Sequence, residues 1–194
     1  SWGFMQKRRS TFLTIHHLTN EIDSGEKILE KEIIFPDHIK NLEELYTLFQ
    51  PSENKLFENF LENIKNFDLK LPTIKNTTDK DFYWPRLNTE KDGFIDWRWD
   101  VEDILNFCKA FDKPFEGASS YIDGVRFRLQ DVELEDEDTF FHPFQYGLVY
   151  RVKKDLVWVA CKNGGLKISN LQSDSSFEIK LGNRFVTPAS KLIS

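Results

Sequence analysis

Thr14-Ile15-His16-His17-Leu18-Thr19-Asn20-Glu21-Ile22-Asp23-Ser24-Gly25-Glu26-Lys27-Ile28-Leu29 organises the first third of the chain. On its left flank, Thr11 to Leu18 is dense in β-branched and apolar side chains and reads as a strand. Thr19 to Gly25 is polar and ends in a glycine placed to admit unusual dihedrals, which predicts a turn. To the right, Lys27 to Phe35 mixes apolar and charged residues (Ile28, Glu30, Glu32, Ile34), the pattern of a half-exposed strand. Strand, loop and strand are therefore expected in that order.

Outward from this segment, Leu42, Leu45, Tyr46 and Phe49 share one helical face. Leu56, Phe57, Phe60, Leu61 and Ile64 share another, and Pro51-Ser52 between the two sets predicts a stop followed by an N-cap. Lys70 to Gly93 breaks into prolines, threonines and charges and reads as a linker. A helix is predicted from Val101 to Phe111 with Asp100 as its N-cap. Beyond it β character dominates, at Val125–Val132, Gly147–Val152, Leu156–Cys161 and Leu166–Leu171. Turns at Asp123-Gly124 and Asn163-Gly164-Gly165 separate these strands. Short strands at this spacing suggest a small barrel or sandwich.

Composition narrows the classes. Hydrophobic residues at 40% and charged residues at 30% describe a soluble globular chain, and 18 phenylalanines predict an aromatic core. The net charge of −6 gives no general attraction to nucleic acid or to an anionic membrane. No stretch approaches the roughly 20 apolar residues that span a bilayer. Cys108 and Cys161 lie in apolar surroundings without metal-ligand spacing and read as buried, reduced thiols of a cytoplasmic protein. The start, Ser1-Trp2-Gly3-Phe4, lacks an initiator Met and a signal-peptide pattern and reads like the middle of a domain.

Three segments, in this order, resemble the 10-formyltetrahydrofolate-dependent formyltransferases, a family that includes methionyl-tRNA and nucleotide-sugar N-formyltransferases. Thr14 to Leu29 looks like the family's strand, aspartate loop and following strand. Asp92-Gly93-Phe94-Ile95-Asp96-Trp97 resembles the D-G-x-I-D-W signature that opens its C-terminal domain. Gly182-Asn183-Arg184-Phe185-Val186-Thr187-Pro188 resembles its G-x-R-F-x-T-P ending. Pro114-Phe115-Glu116-Gly117-Ala118 continues the second segment, with Glu116 where relatives more often have Pro. The fold implied is an α/β fragment of the formyltransferase Rossmann-like domain over 1–69, a linker over 70–93, and a small C-terminal β-barrel domain of OB-like type over 94–194.

The resemblance also implies chemistry. An amine attacks the formyl carbon carried on N10 of the folate, so the site needs a donor for the developing oxyanion and a base for the ammonium proton. In the family an Asn and a His from Asn-x-His and an Asp from the loop meet around the formyl group. Asp23 corresponds to that Asp, and Thr19, Asn20, Glu21, Ile22 and Asp23 would offer backbone groups to the pterin. Without the resemblance, Asp23 would read as a turn residue bonding its own backbone. No Asn-x-His occurs in the 194 residues, so the chain alone is expected to bind folate poorly and to be nearly inactive.

The implied co-substrate is 10-formyltetrahydrofolate. The implied acceptor is a nucleotide-linked amino sugar, preferred over methionyl-tRNA because the chain has no basic excess to neutralise phosphates. A homodimer is left open as a partner state, and the other class of function is a non-catalytic RNA- or protein-binding β module. Other features have plainer readings. His16 and His17 alternate in a strand, and His38 and His142 are isolated, so no metal cluster is expected. Trp84, Trp97, Trp99 and Trp158 read as packing residues rather than a stacking platform, with Trp97 and Trp99 pinning the Val101–Phe111 helix to the barrel. Lys7-Arg8-Arg9 suits either a phosphate or a turn of exposed cations. Arg126 and Arg128 share a strand face and Phe127 points to the core, while Asp131 and Glu133, read as continuing the arginine face, weaken it as an RNA surface. Glu133 to Asp138 reads as a solvated acidic loop.

Overall fold

The computed structural model describes residues 1–20, 24–67, 73, 83–135 and 139–192. A single helical turn, α1 (Trp2–Met5), precedes strands β1 (Ser10–His16) and β2 (Lys27–Ile34). Helix α2 (Leu42–Phe67), a one-turn α3 (Thr89–Asp92) and α4 (Val101–Phe111) follow. Five strands then complete the order: β3 (Ala118–Ile122), β4 (Val125–Leu134), β5 (Val149–Lys153), β6 (Leu156–Cys161) and β7 (Gly164–Ser173). The chain divides into two compact units. One contains Arg8–Ile39 and Glu44–Trp84; the other contains Ser1–Lys7, Lys40–Glu43 and Pro85–Ser194.

In the smaller unit β1 and β2 pair antiparallel from Ser10↔Ile34 to His16↔Lys27, with a register shift at Ile15/His16. Ile28, Ile33, Ile39, Leu45 and Leu56 form its buried interior. The sequence predicts two helices broken at Pro51; the structure has one, with Pro51 inside it. Leu45 and Leu56 lie about three turns apart, on one face, so an unbroken helix buries both. That burial outweighs a proline penalty of about 3 kcal/mol. Ser52, expected as an N-cap, instead accepts a hydrogen bond from Lys31 Nζ at 3.1 Å. Phe49 meets Phe35 with ring centroids 6.3 Å apart.

In the larger unit α4 spans the predicted residues. The Asp100 side chain accepts from the Glu102 amide and caps its first turn. Its buried face, including Ile104, Phe107, Cys108 and Phe111, packs on β4 and β7. Each fully buried apolar side chain there stabilises the fold by about 1.5–3 kcal/mol. The five strands form one antiparallel sheet in the order β3-β4-β7-β6-β5. Asp123 and Gly124 turn the β3–β4 hairpin with φ of 49° and 81°, the left-handed pair that a two-residue hairpin loop requires.

Strand β3 was not among the strands expected from sequence. Its centre is Ser119-Ser120, both fully buried, so it lacks the apolar alternation that marks a strand. Their hydroxyls accept from Arg126 Nη2 at 2.9 Å and Trp97 Nε1 at 2.9 Å. Asp131 on β4 has φ of 50°. Before it Phe127 and Leu129 are buried, and beyond it Val132, so the inward face changes parity. Strict alternation would set Asp131 and Glu133 opposite Arg126 and Arg128; this local turnover leaves both sets more exposed than their buried neighbours.

Among the described residues β3 and β5 do not pair with each other, so the sheet ladders do not close into the expected barrel. A later segment instead bonds to both edges. Val186 exchanges both backbone hydrogen bonds with Tyr121 next to one edge, at 2.8 and 3.1 Å. Asn183 O accepts from Val149 N on the other, at 2.8 Å. Phe185 between them is buried against Trp97 and Phe127.

Candidate functional site

The loop joining β1 to β2 is framed by a hydrogen bond from His17 N to Glu26 O, 3.0 Å. Thr19 and Asn20, two of the expected folate contacts, lie on it and are exposed. The Thr19 and Ser24 hydroxyls form a short hydrogen bond across the loop. Glu21, Ile22 and Asp23 lie outside the described residues. Gly25 was expected for unusual dihedrals, but its φ is not positive. Its need for glycine is steric: a Cβ there would stand 1.7 Å from the His17 carbonyl oxygen. Of the two histidines, His16 is half-buried with Nδ1 3.0 Å from the His17 carbonyl, and His17 is exposed.

The D-G-x-I-D-W segment is a packing device. Gly93 donates its N–H to Thr89 O, and a Cβ would lie 2.5 Å from that oxygen. Ile95 is fully buried and its N–H bonds Ser119 O. The Asp96 carboxylate is buried beside the Arg98 guanidinium at 2.6 Å, and hydrogen bonds from Arg98 hold its pKa below the ordinary value against the cost of burial. Trp97 stacks on Phe185 at 5.4 Å, and Trp99 meets Phe107 edge-on at 5.1 Å, so both tryptophans pack as expected. Trp158 is also buried.

The candidate cationic surfaces are engaged within their own units. Lys7 pairs with Glu102 and Asp103, each at 3.0 Å, and follows the unexpected turn α1. Arg9 pairs with Asp37 at 2.6 Å, and Arg8 lies over Trp84 at 5.7 Å. Arg126 meets Glu90 at 2.6 Å; Arg128 meets Glu90 at 3.4 Å, Glu116 at 3.1 Å and Asp174 more closely still. Sequence spacing did not point to these acidic partners, which lie on three separate segments. The acidic run also departs from a solvated loop. Glu133 belongs to β4 and bridges Lys40 and Lys167, each at 2.7 Å, which depresses its pKa to about 2. Glu135 pairs with Arg151 at 3.3 Å. Residues 136–138 lie outside the described set.

Cys108 and Cys161 are free and buried, and burial pushes both thiols far above their ordinary pKa. His142 caps the short 3-10 turn Pro143–Gln145. Among the described residues no group of three or more His, Cys, Asp or Glu could hold a metal, and no helix is long and apolar enough to cross a membrane.

Residues 88–183 match the family model described as the formyl transferase C-terminal domain. The chain belongs to the formyltransferase family. It is 26% identical over 176 residues to a methionyl-tRNA formyltransferase of Acetivibrio thermocellus, covering 91% of this chain and 54% of that protein. The chain thus spans about half the length of this curated formyltransferase. HypX from Aquifex aeolicus, solved with tetrahydrofolic acid, superposes with a TM-score of 0.68 at 21% identity, over 93% of this chain and 30% of that one. An N-formyltransferase from Helicobacter canadensis, solved with folinic acid and dTDP-3-aminofucose, superposes with a TM-score of 0.62 at 18% identity, over 88% and 59%. These two likenesses establish a shared fold. The matched residues 88–183 take in the five-stranded antiparallel sheet and the packed Asp92–Trp97 segment and end at the start of Gly182–Pro188.

Proposed function

We propose that this chain is part of an enzyme that transfers a formyl group from 10-formyltetrahydrofolate to the primary amine of a nucleotide-linked amino sugar. The observation that carries the reading is the extent of the likeness to a curated formyltransferase. At 91% of the chain it extends beyond residues 88–183, the part matched by the C-terminal domain model, which supports reading the N-terminal region as formyltransferase too. Structural neighbours solved with tetrahydrofolic acid, or with folinic acid and a dTDP-amino sugar, support the choice of donor and acceptor. The acceptor choice is further supported by the net charge of −6 and by the neutralised Arg126–Arg128 face, which leave little to attract a polyanion.

In this reading the amine lone pair forms a C–N bond to the formyl carbon and the carbonyl becomes an oxyanion. The oxyanion then re-forms the carbonyl as the N10–carbon bond breaks, and the proton lost by the amine ends on N10, so that tetrahydrofolate leaves neutral at that nitrogen. Asp23 orients the family's His and helps that proton leave, while the backbone of Thr19 to Asp23 holds the pterin. The smaller unit, Arg8–Ile39 and Glu44–Trp84, is then part of the catalytic domain, and the larger unit, which takes in Pro85 to Gly93 of the expected 70–93 linker, carries an OB-like domain whose open sheet is completed by the segment Asn183–Val186. Two buried, unlinked cysteines support a reducing, cytoplasmic setting.

The test supplies 10-formyltetrahydrofolate to the chain joined to a segment bearing Asn-x-His, with dTDP- and UDP-amino sugars in one arm and charged initiator tRNA in the other. Formylated sugar is the expected product. Turnover of tRNA alone would replace the acceptor, in line with the methionyl-tRNA formyltransferase relatives. No turnover in either arm would favour a binding module.

A further inference from the structure

A groove of about 360 Å³ opens in the larger unit between the Asp96–Arg98 turn, the Pro143–Tyr146 turn and the segment from Arg184 to Leu192. That volume lies at the lower end of the range typical of small-ligand sites, about 300–1,000 Å³. Two guanidiniums line it, and each is held in place from one side only. Arg98 grips Asp96 through Nε and Nη2 at 2.6 to 3.1 Å, although its side chain is 78% exposed. Arg184 donates through Nη1 to the Phe144 and Tyr146 carbonyls at 2.5 and 3.1 Å. Among the described residues, Nη1 of Arg98 and Nη2 of Arg184 have no protein partner.

Beside these donors lies aromatic surface. Trp97 and Tyr146 line the groove, and Phe144, outside that lining but next to it through Arg184, which lies over its ring at 5.2 Å, is 77% exposed. A large aromatic side chain left in water beside unused guanidinium donors suits a ligand with an anionic group and a planar ring. The charge of the whole chain decides between a single nucleotide and a nucleic acid. At −6, with the Arg126–Arg128 face neutralised, the protein lacks the cations that neutralise a run of phosphates, while this groove offers two.

We propose that this groove is a mononucleotide site, with the phosphate on the free N–H groups of Arg98 and Arg184 and the base against Phe144. The site stands on its own geometry and holds whichever amine accepts the formyl group.

The test titrates the 194-residue chain, without any formyl donor, with dTMP, UMP and AMP, and in parallel with inorganic phosphate, thymidine and a single-stranded dT oligonucleotide. Heat and tryptophan fluorescence, which senses Trp97, are the readouts. Saturable nucleotide binding is expected, at least about tenfold tighter than inorganic phosphate or thymidine, a gap of about 1.4 kcal/mol. Arg98→Gln should weaken nucleotide and phosphate alike. Phe144→Ala, at an exposed position that leaves the fold intact, should weaken the nucleotide by about fivefold to tenfold and leave phosphate unchanged. Nucleotide and phosphate binding equally, Phe144→Ala without effect, or binding only by the oligonucleotide would each overturn the proposal. Because no formyl donor is present, such a failure is distinct from a failure of the transfer reaction.

Discussion

Two regions of this chain, the C-terminal motifs and the β1–β2 loop, use their residues in opposite ways. In the C-terminal motifs Ile95, Trp97 and Phe185 are buried, and Gly93 is hemmed in by backbone. In the β1–β2 loop, among the described residues, Thr19, Asn20 and Ser24 face solvent, the Thr19 and Ser24 hydroxyls bond each other, and Gly25 is fixed by its close approach to the His17 carbonyl. The C-terminal motifs hold a domain together, whereas exposed loop residues that do no packing are the kind that functional sites recruit. The first region therefore reports fold, and the second is where the proposed chemistry is to be tested.

Separate changes to the two regions test this contrast. The largest effect is expected for Asp23→Asn. In a protein that also carries Asn-x-His, the rate of formyl transfer should fall by about 10²–10⁴ while the thermal midpoint stays put. A parallel fall in stability would mean that the loop also packs, and the contrast would fail. Phe185→Ala should do the reverse. Loss of a fully buried ring that touches Trp97 and Phe127 costs about 3–5 kcal/mol, read as a lower denaturant midpoint for the larger unit.

A smaller gain is expected for Pro51→Ala. It restores a backbone donor inside α2 and should stabilise the smaller unit by about 1–3 kcal/mol, with higher helicity by circular dichroism. The smallest effect concerns Glu133, whose pKa is depressed to about 2 by Lys167 and Lys40. Because the folded pKa lies below the unfolded one, its contribution is present above about pH 4.5 and is lost as pH falls toward 2. The carboxylate is 39% exposed, so solvent screening limits the contribution to less than about 1 kcal/mol. Wild type and Glu133→Gln should differ in urea midpoint at pH 6, and the difference should shrink below about pH 4.5 and close as pH falls to about 2.

The same contrast explains what the sequence made legible. Helix α4 and strand β6 match their predicted bounds because Asp100, the apolar stripe and flanking turns all agree locally. The β3–β4 turn was visible in Asp123-Gly124, where two left-handed residues are needed. Strand β3 was hidden because two of its buried positions, Ser119 and Ser120, are serines whose hydroxyls are satisfied by Arg126 and Trp97, partners reached only across the hairpin or distant in sequence. Pro51 read as a break because local propensity opposes a helix there, and only tertiary burial of Leu45 and Leu56 overrules it. The role proposed for Asp23 rests on resemblance alone, since Asp23 in isolation has the composition of any polar turn and lies outside the described residues.

Attachment of residues 183–186 to both sides of the sheet has a consequence for synthesis. Strands β3 to β7 leave the ribosome before the segment that covers their outer edges. Until it follows, Tyr121 on one edge and Val149 on the other lack their final backbone partners, although the earlier Gly93–Ile95 segment can already bond Ser119, and such open positions invite pairing with a neighbouring chain. A message cut just before Gly182 would encode every strand of the sheet and still yield a product prone to aggregate and marked for degradation.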